Sequence, residues 1–142
     1  MQENEWGDKL SLCYLTNPAL AIDALTALRE AVGWDARKEK LELIAGRTYC
    51  TAACMDGDLL VGYVEVISDN VDDALIRNLM VHPDYQRRGI ALELLKRAKQ
   101  EVKAGGIKTI NVLFEPELEK LYRKAGFRII LGGIIDNEKE GY

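Results

Sequence analysis

Pro83 and Gly89 constrain this chain more than any other pair of residues. Residues 74–81 read as a strand, and Pro83 carries no N–H with which to extend a ladder, so the strand stops at His82. Beyond Gly89, Ile90, Ala91, Leu94, Leu95, Ala98 and Val102 fall on one face at the helical period, and Ala104-Gly105-Gly106 closes the segment. A strand therefore hands over to a helix within a few residues. At such a junction several backbone N–H groups point out unpaired, and with the helix dipole they form a ready seat for a phosphate group. Gly89 removes a side chain where the chain turns tightly, Ala91 keeps the next approach narrow, and Arg87 and Arg88 add positive charge.

The turn Gln86-Arg87-Arg88-Gly89-Ile90-Ala91 has neither the Gly-Lys-Ser/Thr ending of a nucleoside-triphosphate loop nor the three glycines of a dinucleotide fingerprint. Coenzyme A, with its pyrophosphate and additional 3′-phosphate, remains as the ligand for such a turn.

The rest of the chain supplies a sheet and the helices to cover it. Residues 9–16 read as a first strand. Asn17 and Pro18 place a capping amide before a proline suited to the first helical position, so a helix is predicted to start there. Leu20, Ala21, Ala24, Leu25, Leu28, Ala31 and Val32 carry its apolar face, and Gly33 stops it. Asp35 is predicted to cap a second helix, with Leu41, Ile44 and Ala45 on its apolar face and Gly46 at its end. Residues 48–55 and 59–67 form an antiparallel pair across Asp56-Gly57, and the polar residues 68–73 lead to the strand before Pro83. After the long helix, residues 108–114 alternate into a strand and Glu115-Pro116 opens a short helix that Gly126 ends. The run from Arg128 to Leu131 reads as a last strand, which Gly132-Gly133 bends or breaks.

The order β-α-α-β-β-β-α-β-α-β predicts an α/β fold with helices covering a mixed sheet. Its 142 residues suit one domain, with a core at about 9–135 and an acidic tail at 136–142.

A net charge of -4 and a pI near 5.1 offer no general attraction to a polyanion, which argues against nucleic acid. The spacing of Cys13, Cys50 and Cys54 fits neither a zinc pattern nor a disulfide framework, so reduced thiols in a cytoplasmic protein are expected. No apolar run is long enough to span a membrane, and the acidic start Met1-Gln2-Glu3-Asn4-Glu5 is unlike a secretory signal.

Val81-His82-Pro83-Asp84-Tyr85-Gln86-Arg87-Arg88-Gly89-Ile90-Ala91 resembles the acetyl-CoA motif of the GNAT N-acetyltransferase superfamily, whose pattern is Gln/Arg-x-x-Gly-x-Gly/Ala. Leu121-Tyr122-Arg123-Lys124-Ala125-Gly126-Phe127 resembles a second stretch of that family, and Gly33-Trp34 and Gly62-Tyr63 fall in its order. The resemblance implies the GNAT acyl-CoA N-acyltransferase fold. It also implies transfer of acetyl from acetyl-CoA to a primary amine of a small molecule or peptide, without a metal or a covalent intermediate. By the same resemblance, main-chain contacts to the pantetheine arm and thioester carry over to Leu79, Met80 and Val81. Pyrophosphate contacts carry over to Arg87, Arg88, Gly89, Ile90, Ala91 and Leu92. Many relatives place an asparagine seven residues before the tyrosine; Glu115 stands here and reads as a capping acid ahead of Pro116.

The implied reaction needs an oxyanion donor, a proton for the departing sulfur and a way to deprotonate the amine. A backbone N–H near Leu79 or Met80 suits the first task, and Tyr122 as general acid suits the second. Tyr122 also has a packing explanation, because a helix stop at Gly126 brings Phe127 against it. Glu65 is the candidate base, acting directly or through water, although a carboxylate on a half-exposed strand is commonly just solvated. Trp34 and Asn78 are candidate acceptor contacts, and Asp69, Asp72 and Asp73 read as an ordinary polar connection. His82, the single histidine, is not assigned as a base. The final strand would offer an edge for a homodimer. A non-catalytic acyl-CoA-binding or regulatory module of the same fold is the alternative function.

Overall fold

The structure is a computed structural model that describes residues 12–139, in two compact units dividing after Val112. The predicted start of the first strand at 9–11 and the end of the tail at 140–142 lie outside the described residues. The first unit contains β1 (Leu12–Thr16), α1 (Ile22–Ala31), α2 (Lys38–Ile44), β2 (Cys50–Asp56), β3 (Leu59–Ser68), β4 (Asp73–Val81), α3 (Ile90–Ala104) and β5 (Thr109–Val112). Neighbouring strands follow sequence order from β1 to β5; the first four are antiparallel, and β5 is parallel to β4. A parallel pair needs a crossover, and α3 supplies it.

The sequence of β3, Leu-Leu-Val-Gly-Tyr-Val-Glu-Val-Ile-Ser, is apolar almost throughout because this central strand is buried on both faces. On one face Tyr63 packs with Ala53, Met80 and Leu28 of α1. Across the other lies α3, which buries Ile90, Leu94, Leu95, Ala98 and Val102. Each of the Ile, Leu and Val side chains among these contributes about 1.5–3 kcal/mol relative to exposure. Cys50 and Cys54 are buried on β2 and Cys13 is exposed on β1, all three as free thiols. Among the described residues no helix is long and apolar enough to cross a membrane.

Both predicted helix caps of this unit are corrected. Asn17 does not cap α1: it has φ +52°, its Oδ1 accepts the Thr51 N–H at 2.8 Å, and its own N–H donates to the Thr51 carbonyl at 2.8 Å. Its hydrogen bonds go to β2, so α1 begins only at Ile22, with no side-chain cap. Asp35 does not cap α2; Arg37 precedes that helix with φ +55°, and the Asp35 carbonyl instead accepts a bond from Arg29 Nε at 2.7 Å.

The second unit contains a 3-10 turn at Pro116–Leu118 and α4 (Glu119–Lys124). Glu115 precedes the turn without a side-chain cap bond; its carbonyl accepts the Leu118 N–H at 2.9 Å, so the expected capping acid contributes through its main chain. The run from Arg128 to Leu131, apolar after its first residue, forms no strand, with Ile130 65% and Leu131 100% exposed. Apolar sequence does not make a strand without a neighbour to complete its ladder, and these residues have none among those described.

Candidate active site

Around Asn78, β3 and β4 fall out of step. Tyr63 stands opposite Met80 but Glu65 opposite Arg77, so β4 carries one extra residue. Asn78 takes up that residue in the left-handed conformation at φ +55°, which asparagine tolerates better than most, and such a bulge bends its strand. The pairing of β4 with β5 ends just before, at Ile76 and Val112. Leu79, Met80 and Val81 therefore lie where β4 has lost β5 as a partner. His82 N–H donates to the Val61 carbonyl at 2.8 Å. By the alternation of an antiparallel ladder, the main chain of Met80 then faces β3, while those of Leu79 and Val81 face away from it. Val81 bears this out, since its carbonyl accepts a bond from Gln86 Nε2 at 3.3 Å. Of the three residues expected to present backbone, Met80 spends its main chain on the sheet and its side chain in the core.

Pro83–Tyr85 form a single 3-10 turn, capped by His82 Nδ1, which accepts the Asp84 N–H at 3.1 Å. The Tyr85 hydroxyl is hydrogen-bonded to the Asp56 carboxylate, and the Arg88 guanidinium carbon lies 5.0 Å from the centre of the Tyr85 ring. Arg88 also donates to the Asp84 carbonyl at 3.4 Å. Two left-handed residues, Arg87 at φ +64° and Gly89 at φ +78°, then turn the chain into α3 and leave 86–89 exposed. No side chain caps this helix. The N–H groups of Gly89, Ile90, Ala91 and Leu92 are thus its open first turn, and the Gly89 carbonyl starts the helical ladder by accepting Glu93 N–H at 3.1 Å.

Glu65 occupies the opposite face of the sheet. The expectation that it is half-exposed is corrected: it is 4% exposed, because β3 is central and its Tyr63 face is covered by α1. Its Oε1 accepts the Tyr63 hydroxyl at 3.0 Å, and its Oε2 accepts Arg77 Nε at 3.1 Å and Nη2 at 2.6 Å. Burial first, and the neighbouring carboxylate second, push the Tyr63 phenol well above its ordinary pKa. A cavity of about 310 Å³ reaches this group, lined among others by Asn17, Leu25, Leu41, Ile44, Tyr63 and Glu65. Trp34 is partly exposed, with the Arg29 guanidinium carbon 5.2 Å from its ring centre.

In the second unit, Tyr122 is buried and stacked on Phe114, ring centres 4.5 Å apart, while Phe127 meets it edge-on at 5.6 Å. Phe127 N–H donates to the Tyr122 carbonyl and Gly126 N–H to the Arg123 carbonyl, both at 3.0 Å, with Gly126 at φ +100°. This is the Schellman ending read from the sequence. Burial raises the Tyr122 phenol pKa, so the ring keeps its proton at neutral pH.

Residues 21–137 match the sequence model of the acetyltransferase (GNAT) domain family. The chain belongs to the GNAT family. As a GNAT protein it is an acyl-CoA-dependent acetyltransferase. The uncharacterised N-acetyltransferase ycf52 of Porphyra purpurea is 30% identical over 128 residues, covering 84% of this chain and 74% of the relative. A GNAT-family acetyltransferase of Streptococcus pneumoniae superposes with a TM-score of 0.75 at 26% identity, covering 90% of this chain and 99% of its own. An aminoglycoside N-acetyltransferase solved in complex with CoA shares the fold, with a TM-score of 0.68 at 14% identity over 92% of this chain and 95% of its own. The sequence reading of this GNAT domain missed Arg77 as the partner of Glu65. Period-two alternation puts Tyr63 and Glu65 on one face, but the cross-strand partner depends on the Asn78 bulge.

Proposed function

We propose that this GNAT enzyme takes acetyl-CoA as its donor and passes the acetyl group to a primary amine of a small molecule or peptide by direct attack in a ternary complex. The observation that carries this reading is a coincidence on β4: the Asn78 bulge, the end of β5 pairing at Ile76, and main chains at Leu79 and Val81 that face away from β3. The amides of an extended pantetheine arm can hydrogen-bond to such an edge as a strand would. The open amides of Gly89, Ile90, Ala91 and Leu92, with Arg87 and Arg88 beside them, suit the pyrophosphate. The CoA complex of an aminoglycoside N-acetyltransferase with this fold supports the donor class.

In the proposed reaction the neutral amine attacks the thioester carbon, and Leu79 N–H stabilises the oxyanion. As the intermediate collapses the carbon–sulfur bond breaks, and the sulfur takes a proton from Tyr122, which regains one from solvent. The surplus proton of the amine passes to water. Glu65 could receive it only by loosening Arg77, so its larger role in this proposal is to position Arg77 and Tyr63. Asn78 and Trp34 are assigned to the acceptor side. Three free thiols suit a reducing, cytoplasmic setting.

Thiol release from acetyl-CoA, followed across a panel of primary amines, tests the reading. Amine-dependent release supports it. Saturable acetyl-CoA binding with no release for any amine would make the chain an acyl-CoA-binding module instead.

A further inference from the structure

A second cavity, of about 190 Å³, lies between the α1–α2 region and β4. Its charged lining has one sign: Arg29, Arg37, Lys40 and Arg77, with Asn78 beside them and no acidic residue. Leu41 and Ile44 complete it and also line the larger cavity beside Glu65.

Cations gathered around a small cavity repel one another unless an anion is present, and burial strengthens the effect. Arg29 is only 6% exposed, and its guanidinium pKa is lowered, by burial first and by Arg37 second. Asp35 and Glu65 act on Arg29 in the opposite, favourable direction. Neither carboxylate lines the cavity, and that of Glu65 already takes Arg77 and Tyr63. Arg37 is held at φ +55°, a conformation that a non-glycine residue keeps only where its surroundings impose it. Guanidinium groups are the side chains best shaped for two-point contact with a carboxylate or a phosphate.

We propose that this cavity seats a carboxylate or phosphate carried by the acceptor amine, so that the substrate is a small anionic amine. The inference rests on the acetyl-transfer reading above. Asn78 ties the cavity to the reaction, because it both lines the cavity and immediately precedes Leu79, the assigned oxyanion donor. The cavity volume suits a group of side-chain size.

Calorimetric titration of the full chain with inorganic phosphate and with acetate, in saturating CoA so that the phosphate turn is occupied, tests the seat directly. At least one ion should bind once per chain. Its affinity should fall by about tenfold or more in Arg37→Ala and recover in part in Arg37→Lys, with unchanged circular dichroism in both. Tighter phosphate points to a phosphorylated amine, and tighter acetate to an amino acid-like one. In thiol-release assays O-phosphoethanolamine or β-alanine should outperform ethanolamine in kcat/KM by about tenfold or more, and Arg37→Ala should lose that advantage through KM rather than kcat. Binding of neither ion, or equal use of ethanolamine, would overturn the proposal. Arg37-dependent ion binding without acetylation of any amine would overturn the acetyl-transfer reading while leaving the anion seat standing.

Discussion

A Cβ placed on Gly62 of β3 would stand 2.8 Å from Cγ2 of Ile90, the first residue of α3. Leu94 and Cys54 would also be close, at 3.1 and 3.2 Å. The missing side chain thus sets how near the first turn of α3 approaches the sheet. Gly62→Ala is expected to cost about 1–3 kcal/mol through overpacking, read by denaturant unfolding. It should also raise the KM for acetyl-CoA by displacing the turn that precedes the helix. Unchanged stability would show that α3 shifts freely.

Arg87 offers a way to separate backbone shape from charge. Its φ of +64° is a conformation that glycine adopts without strain. Arg87→Gly should therefore keep the turn and leave stability unchanged or slightly higher, while weakening acetyl-CoA binding through the lost charge. A binding titration beside a thermal melt separates the two effects, and acetyl-CoA affinity equal to wild type would remove Arg87 from the phosphate site.

For Glu65, replacement by Gln keeps the shape but leaves Arg77 facing a neutral group. Stability should fall by about 1–3 kcal/mol, as for loss of a buried, charge-assisted hydrogen bond. The change in kcat should be modest by comparison. A loss of two orders of magnitude or more in kcat, with the fold intact, would instead make this carboxylate the base.

Tyr122→Phe removes only the hydroxyl, so the ring contacts with Phe114 and Phe127 persist. Turnover should fall by about 10²- to 10⁴-fold, the usual contribution of a general acid, with acetyl-CoA affinity nearly intact. Because burial raises the wild-type phenol pKa, the rate should hold through neutral pH and fall only when alkali removes the phenolic proton. Equal turnover of the two proteins would leave Tyr122 a packing residue.

Thiol chemistry gives a prediction independent of the reaction. Cys13 is exposed and should react first with an alkylating reagent at pH 8, whereas Cys50 and Cys54 are buried. Burial, helped by Glu101, pushes the Cys50 thiol up to about 11. As pH climbs above about 8.5 the unfolded chain releases this proton before the folded one does, so stability, complete below that point, declines toward the folded value. The unfolding midpoint should be lower at pH 10 than at pH 8. Three thiols reacting at one rate under native conditions would contradict the buried arrangement.

The junction from Pro83 to Gly89 was legible because it rests on covalent geometry: a residue without an N–H and a residue free to adopt positive φ. The Tyr122–Phe127 ending was legible for the same reason, since Gly126 and its neighbours settle it locally. What escaped the reading is non-local. The Asn17 amide bonds to Thr51, 34 residues away, so a well-formed capping sequence caps nothing. Asn78 is a bulge only in relation to the register of β3. Residues 128–131 have the composition of a strand but, among the described residues, lack the partner that would make them one. Arg29 looks in sequence like an exposed helical cation, and its burial follows from how the chain folds back at Trp34 and Asp35.

Where β4 outlasts β5, the last strand of the sheet, its outer edge has no strand partner among the described residues. Elsewhere such edges recruit foreign chains and seed aggregation. Beyond Ile76 on β4, Leu79 and Val81 turn their backbone away from β3, a stretch shorter than an ordinary strand yet long enough for a ligand with two amides. The shortness of that stretch selects for an occupant of limited length, so in the proposed reading the choice of donor is tied to one interrupted ladder.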